Sequence, residues 1–190
     1  MEAEQRDPKE VLMAVIQKAM EAKYELCVEN KGMTDTPPLI IGEFPNGEGF
    51  ICPDVLEGHP TDTLPVLLTG LLEAMTQTFG KPKFTWLAYV VEGYCKPNID
   101  EMPEGWERGD MEQEYKENPL TDIREGIIAT VFPWEGTPLA ETVLYRYNDN
   151  GLPEYEEPLG ASEGTGGGTI PDIFSQFLAH CHKVVDATNN

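Results

Sequence analysis

Residues 84–91, Phe84-Thr85-Trp86-Leu87-Ala88-Tyr89-Val90-Val91, form an apolar run with bulky aromatic side chains and a β-branched end. By periodicity alone, such a run fits either a buried strand or a piece of a buried helix. A strand that is apolar on both faces belongs inside a sheet that helices cover on at least one side. The capped helices and hairpins predicted around this run favour a strand at the centre of the sheet.

Two helices are predicted near the ends of the chain from apolar residues at helical spacing. The first begins at Asp7-Pro8, because Asp7 can cap a helix and Pro8 suits its first turn. It runs to about Val28. The last helix opens at residues 169–172, which form a capping box, and continues to about Val185.

A further helix is predicted immediately before the central strand. Any residue of the stretch Thr61–Thr63 can cap it, Pro65 fits only in its first turn, and Gly80 closes its end. Its apolar residues fall on one stripe: Leu64, Leu67, Leu68, Leu71, Leu72, Met75 and Phe79.

Two hairpins and an edge segment complete the predicted sheet. Asn46-Gly47 is the strongest short hairpin signal and separates the first two strands. In the second hairpin, alternation places Val143, Tyr145 and Tyr147 on one face. The expected strands are residues 39–44, 49–52, 126–132 and 141–147, with residues 152–158 as an acidic edge segment.

The predicted element order is α-β-β-α-β-β-β-α. Hairpins dominate this order, so we expect an α+β fold with a mainly antiparallel sheet of about five strands. The three amphipathic helices are expected on one face of that sheet. The 190 residues form one expected domain, with flexible loops at about 95–118 and 159–169. Within the first of these loops, residues 111–116 could form a helical turn.

The charge of the chain is its most unusual global property. Thirty-four acidic residues against thirteen basic ones give a net charge of −21, and residues 37–80 contain six acids and no Lys or Arg. Phosphate binding requires clustered Lys and Arg, so direct contact with nucleic acid or an anionic membrane is not expected. Basic partners are favoured, and the simpler interpretation is that the charge confers solubility alone.

The ends and the apolar runs of the sequence predict a cytoplasmic protein. No apolar run reaches the about 20 residues that a membrane span needs. The N-terminal residues 1–7 are acidic and polar, unlike a secretory signal or a transit peptide.

The cysteines and histidines do not predict a metal site or a cofactor. Cys27, Cys52, Cys95 and Cys181 lie singly, without the paired spacing of a zinc site, and are expected to be reduced thiols. Residues 180–182, His-Cys-His, point about 100° apart on a helix and cannot chelate one ion together. A pairing of Cys52 with His59 is the less favoured alternative.

The acidic loop around Trp106 is the candidate binding site. Its members are Asp100, Glu101, Glu104, Trp106, Glu107 and Asp110. The carboxylates could gather a hard cation, but their spacing is not that of an EF-hand, so no metal is expected. A solvated loop is the simpler interpretation.

Two further features have a structural and a functional interpretation. Glycines at 164, 166 and 168 precede the last helix but lack the pattern of a phosphate-binding loop, which favours a connector. Arg124 and Arg146 are rare cations in an acidic chain, and each is expected either in a structural ion pair or as an anchor for an anionic ligand.

Residues 126–185 resemble uncharacterised small acidic proteins of actinobacteria and their phages. The matching pattern is an apolar hairpin, then Tyr147-Asn148-Asp149-Asn150-Gly151-Leu152-Pro153 and Glu157-Pro158, a Gly-rich link, and Ile170-Pro171-Asp172 opening an amphipathic helix. The resemblance implies no activity and no functional residues. It favours a phage-encoded or accessory protein of the cytoplasm.

These features together predict a non-enzymatic, acidic protein-interaction module that binds a basic host protein, with nucleic-acid mimicry as its sharpest form. The alternative is a small enzyme or ligand-binding domain with a site near His59 and the 95–118 loop. The oligomeric state does not follow from the sequence.

Overall fold

The computed structural model of the chain describes residues 6–95, 110–118, 121–163 and 169–188. The helices are α1 (Pro8–Asn30), α2 (Pro60–Phe79), α3 (Asp110–Glu117) and α4 (Thr169–Thr188). The strands are β1 (Leu39–Glu43), β2 (Gly49–Pro53), β3 (Trp86–Cys95), β4 (Arg124–Pro133), β5 (Leu139–Tyr147), β6 (Pro153–Tyr155) and β7 (Ser162–Glu163).

The strands form one antiparallel sheet in the order β2-β1-β3-β4-β5-β6, and β7 also pairs with β5. The predicted central position of the 84–91 run is confirmed, because β3 pairs with β1 on one side and β4 on the other. The strand begins at Trp86, two residues later than that run, and continues to Cys95. Both predicted hairpins are present as β1–β2 and β4–β5.

Helices cover both faces of the sheet. On one face, Val11, Leu12, Val15 and Ile16 of α1 pack with a cluster that includes Ala88 and Val90 of β3. On the other face, the buried side chains of α2 and α4 pack with a second cluster that includes Leu87 and Tyr89. The prediction of helices on one face only was therefore wrong. Successive residues of β3 point to opposite faces, and each face has its own apolar set to bury.

The α+β class is confirmed, but the described residues form four helices rather than three and seven strands rather than about five. The additional helix α3 reads DMEQEYKE, which is too polar to show an apolar stripe. Strands β6 and β7 have three and two residues, too few for an alternation pattern. The two loops expected to be flexible thus contain α3 and β7 in their described parts.

The start of α2 also differs from its prediction. His59 is the N-cap residue and its ring nitrogen accepts a hydrogen bond from the Thr61 amide at 3.1 Å. The helix begins at Pro60, so Pro65 lies in its second turn instead of its first. A histidine was not considered as a cap because Ser, Thr, Asp and Asn are the common capping residues.

Candidate functional site

The described surface of the protein is strongly acidic. Twenty acidic side chains are exposed in the described ranges, against six basic ones. The exposed basic residues are Arg6, Lys9, Lys18, Lys31, Lys116 and Lys183. In these ranges the excess of acids is therefore a property of the surface.

Part of this charge lies along one edge of the sheet. We call the following residues of the 148–163 segment, all exposed, the acidic edge: Asp149, Glu154, Glu156, Glu157 and Glu163. This segment follows β5, since the amides of Glu156 and Leu159 donate to the carbonyls of Leu144 and Thr142 at 2.8 and 3.0 Å. No basic residue interrupts the segment.

The acidic edge is held against the C-terminal half of α1. The Tyr155 hydroxyl donates to the Met20 carbonyl at 2.8 Å. Glu21, Glu25 and Glu29, four residues apart, form an exposed stripe on that same half of the helix. The prediction of residues 152–158 as an acidic edge segment is confirmed by the position of β6 at the end of the sheet.

Most of the predicted binding loop lies outside the described residues. This applies to Asp100, Glu101, Glu104, Trp106 and Glu107, whereas Asp110 is the first residue of α3. The proposed binding role of these six residues stays a prediction. In the described part of the chain, no group of three or more His, Cys, Asp or Glu side chains could hold a metal ion.

Two of the three histidines that the sequence singled out, His59 and His182, have structural contacts, whereas His180 is exposed. His59 caps α2, and Asp54 nearby is buried and accepts a hydrogen bond from the Thr63 hydroxyl. His182 lies over the Trp134 ring at 4.1 Å between centroids and hydrogen-bonds the Trp134 carbonyl at 3.1 Å. These contacts give His59 and His182 a structural role.

The two arginines have different partners. The Nε of Arg124 forms an ion pair with Glu156 at 3.0 Å, so the structural interpretation is confirmed for this residue. An Nη of Arg146 donates to the Thr121 carbonyl at 2.7 Å, and its Nε has no hydrogen-bond partner. Both guanidinium groups therefore donate hydrogen bonds to neighbouring acceptors, Arg124 to the Glu156 carboxylate and Arg146 to the Thr121 carbonyl.

A buried polar cluster lies under α1, at the sheet end where β3 and β5 finish and β4 begins. Lys23 has no exposed surface, and its Nζ lies 2.9 Å from a carboxylate oxygen of Glu92 on β3. The ammonium also donates to the Thr34 carbonyl and lies 5.4 Å from the ring centroids of both Tyr145 and Tyr147. A buried cation is thus paired with one carboxylate and faces two aromatic rings.

The charges in this cluster are set by its burial. Burial would lower the pKa of Lys23, but its contacts with Glu92 and Tyr147 outweigh this effect and the pKa is raised. Burial raises the pKa of Glu125, although the Tyr145 hydroxyl donates to its carboxylate at 2.8 Å. Burial likewise raises the pKa of Tyr145, and the charges of Glu92 and Glu125 add to it. The lysine stays charged and the tyrosine neutral at pH 7.

This cluster predicts a loss of stability at high pH. Tyr115 of α3 lies beside Glu125, and burial together with that carboxylate raises the pKa of Tyr115 to about 12. In an unfolded chain the pKa of a tyrosine is about 10. The pKa values of Lys23 and Tyr145 are also raised, so both groups change the stability in the same direction as Tyr115. Because these groups release protons more readily when unfolded, their stabilising effect is complete below pH of about 10 and declines as the pH rises further. Urea unfolding followed by circular dichroism from pH 8 to 11.5 measures this decline.

Two tyrosine variants control that measurement. Tyr145→Phe is expected to reduce the decline by about 1.4 kcal/mol per pH unit, because one group that titrates only in the unfolded chain has been removed. Tyr24→Phe, on the exposed side of α1, is expected to leave it unchanged. A stability that stays constant up to pH 11 would contradict the assignment.

Two cavities that α1 lines are small. One of about 20 Å³ lies between α1 and the sheet and includes Glu92 and Thr36 in its lining. Another of about 10 Å³ lies near the start of α1, beside Trp86. A water molecule needs about 10–15 Å³, so each has room for about one water and not for an organic substrate.

Lys23 is the residue that sequence reasoning missed. It lies four residues after Ala19 and seven after Ile16, which places it on the apolar stripe of α1. A lysine on an apolar stripe needs a buried hydrogen-bond acceptor, so this spacing could have predicted a buried ion pair.

Comparison with protein-family models, with curated proteins and with solved structures found no match for this chain. Within the described ranges, no helix combines the length and the apolar character that crossing a membrane requires.

Proposed function

We propose that this protein is a non-enzymatic, acidic interaction module that binds a basic partner protein. The observation that carries the proposal is the excess of twenty exposed acidic side chains over six basic ones in the described ranges. A surface of one sign attracts partners of the opposite sign and accelerates their encounter.

The arrangement of the acids supports the same proposal. The acidic edge contributes five carboxylates, and only Glu156 among them is paired with an arginine. The stripe at Glu21, Glu25 and Glu29 adds three more on the adjoining half of α1. Within the described ranges, the other four carboxylates of the acidic edge form no ion pair and are available to the cations of a partner.

The sharper form of the proposal is mimicry of nucleic acid. In that form the carboxylates replace phosphates in the basic groove of a DNA- or RNA-binding protein. The resemblance of residues 126–185 to small proteins of actinobacteria and their phages supports a phage-encoded or accessory protein that acts on such a host protein.

Salt dependence tests the proposal. The protein is titrated with poly-lysine by calorimetry and is used to capture proteins from a bacterial lysate at several NaCl concentrations. We expect binding to poly-lysine to weaken about tenfold or more between about 50 and 200 mM NaCl, because surface charges are screened. Captured proteins should be basic and should be released by duplex DNA if mimicry is correct.

Two matched variants locate the interaction. One carries Glu154→Gln, Glu156→Gln and Glu157→Gln, and the other carries Lys9→Gln, Lys18→Gln and Lys183→Gln. The first should weaken binding and the second should strengthen it. Recovery of acidic proteins alone, or binding that does not change with salt, would refute the proposal.

A further inference from the structure

Among the described residues, the backbone groups on the outer edge of β2 have no pairing strand. Hydrogen bonds from the Phe44 amide to the Glu48 carbonyl and from the Asp54 amide to the Pro38 carbonyl, at 2.9 and 2.7 Å, flank the β1–β2 ladder. Hydrogen-bonded and non-hydrogen-bonded residue pairs alternate along an antiparallel ladder. The backbone N–H and C=O groups of residues 48, 50, 52 and 54 therefore point toward β1. The backbone groups of Gly49, Ile51 and Pro53 therefore point away from the sheet. They comprise two N–H donors and three carbonyl acceptors, since proline has no N–H.

The two edges of the sheet are protected differently. The 148–163 segment at the β6 edge carries the five carboxylates of the acidic edge, and charges on an edge strand discourage pairing with another chain. Strand β2 reads GFICP and has no charged residue. The β2 edge thus lacks the protection that the opposite edge has.

Apolar side chains are exposed along the unprotected edge. Ile51 is 69% exposed and Val55, four residues on, is 75% exposed. Pro53 between them is also exposed. Ile51 lies opposite Ile41 on β1, and Ile41 packs in the core on the α1 side. Ile51 therefore points to the same face of the sheet, in the part that α1 does not cover.

Most charges around this edge are negative, although Arg6 pairs with Glu43, the β1 residue opposite Gly49, at 3.5 Å. Residues 37–80 contain six acids and no Lys or Arg. Glu48, Glu57 and Asp62, which flank β2 or begin α2, are exposed. Because α2 lies on the face opposite to α1, the acid at Asp62 is on the other side of the edge from Ile51.

We infer that the edge of β2 binds an extended segment of a partner protein by strand addition, and that this segment alternates apolar and basic residues. Its backbone would pair with Gly49, Ile51 and Pro53. Its apolar side chains would lie on the α1 side against Ile51, and its basic side chains on the α2 side near Asp62. The inference rests on the proposed function for the basic character of the partner. A second copy of this chain is disfavoured because it would bring the same acids and a charge of −21 to the edge.

Synthetic peptides test this inference on the full, isotope-labelled chain by NMR. The probe is a nine-residue peptide of alternating valine and lysine, and the comparison peptide alternates valine and glutamate. We expect the lysine peptide to shift the amide resonances of Gly49 and Ile51 and to slow hydrogen exchange at Ile51. The glutamate peptide should bind at least about tenfold more weakly because like charges repel.

Two lysine substitutions provide matched variants on the two edges. Ile51→Lys should weaken binding of the lysine peptide about tenfold or more, because it adds a protecting cation to the β2 edge. Leu159→Lys adds the same charge beside the acidic edge, where Leu159 is 62% exposed, and should change the affinity much less.

Three results would overturn the inference. Shifts confined to residues 149–163 would leave the proposed function standing and place the basic ligand on the acidic edge instead. Equal binding of the glutamate peptide at β2 would refute the basic partner. A wild-type dimer in sedimentation that Ile51→Lys converts to a monomer would show that a second copy occupies the edge.

Discussion

Replacement of Lys23 by methionine is expected to lower the free energy of unfolding by about 3 kcal/mol or more. The substitution removes the one cation that pairs with Glu92 among the described residues. It leaves that carboxylate, whose side chain is 14% exposed, in a largely buried site. It also removes the donor to the Thr34 carbonyl. Urea unfolding at pH 7, followed by circular dichroism, measures the loss.

Two further variants separate the ion pair from the helix. Lys18→Met, on the exposed side of α1, should change stability by less than about 0.5 kcal/mol. The double variant Lys23→Met with Glu92→Leu should recover part of the loss, because replacing both charges by apolar groups removes the unpaired carboxylate. A cost below about 1 kcal/mol for Lys23→Met would show that the buried pair is not a major source of stability.

Phe174→Ala is expected to cost about 3–5 kcal/mol, because it empties a large buried site. The Phe174 side chain has no exposed surface. Its ring stacks on Phe132 of β4 with centroids 4.5 Å apart and an interplanar angle of 11°. It also contacts Tyr89 of β3 at 5.4 Å, so one side chain of α4 reaches the two central strands. Thermal unfolding of the variant measures the effect.

The size of the replacement tests this mechanism. Phe174→Leu keeps most of the volume and should cost about 1–1.5 kcal/mol. Gln176→Ala, at an exposed position on the same helix, should have little effect. Equal stability of the Phe174→Ala variant and the wild type would mean that α4 does not hold its observed position on the sheet.

Much of the fold was predictable because its signals are local. The apolar spacing of α1, α2 and α4 reflects a helical period, and the Asn46-Gly47 turn sets the β1–β2 register within a few residues. The run from Phe84 was long and apolar enough to indicate a central strand. Helix α3 and strands β6 and β7 were missed or indistinct because they are polar or very short.

The candidate site was predictable only in its charge. The count of acids and bases predicts an acidic surface, and the exposure of the acids in the described ranges agrees with that, whereas the basic partner stays a prediction. The predicted binding loop at Asp100–Asp110 stays a prediction. The sequence favoured the loop around Trp106 over the 148–163 segment, because the position of that segment beside β5 and α1 depends on tertiary contacts.

The sequence by itself determined most helices and strands, the central place of β3 and the negative charge of the surface. Each of these depends on hydrophobic periodicity, turn chemistry or composition within short stretches. Only the tertiary structure decided which face each helix covers and which residues meet. Lys23 and Glu92 are 69 residues apart, and they meet because α1 crosses the face of the sheet to which Glu92 points. The unprotected edge at β2 was decided in the same way. A strand becomes an edge through the order of the whole sheet, which no local pattern contains.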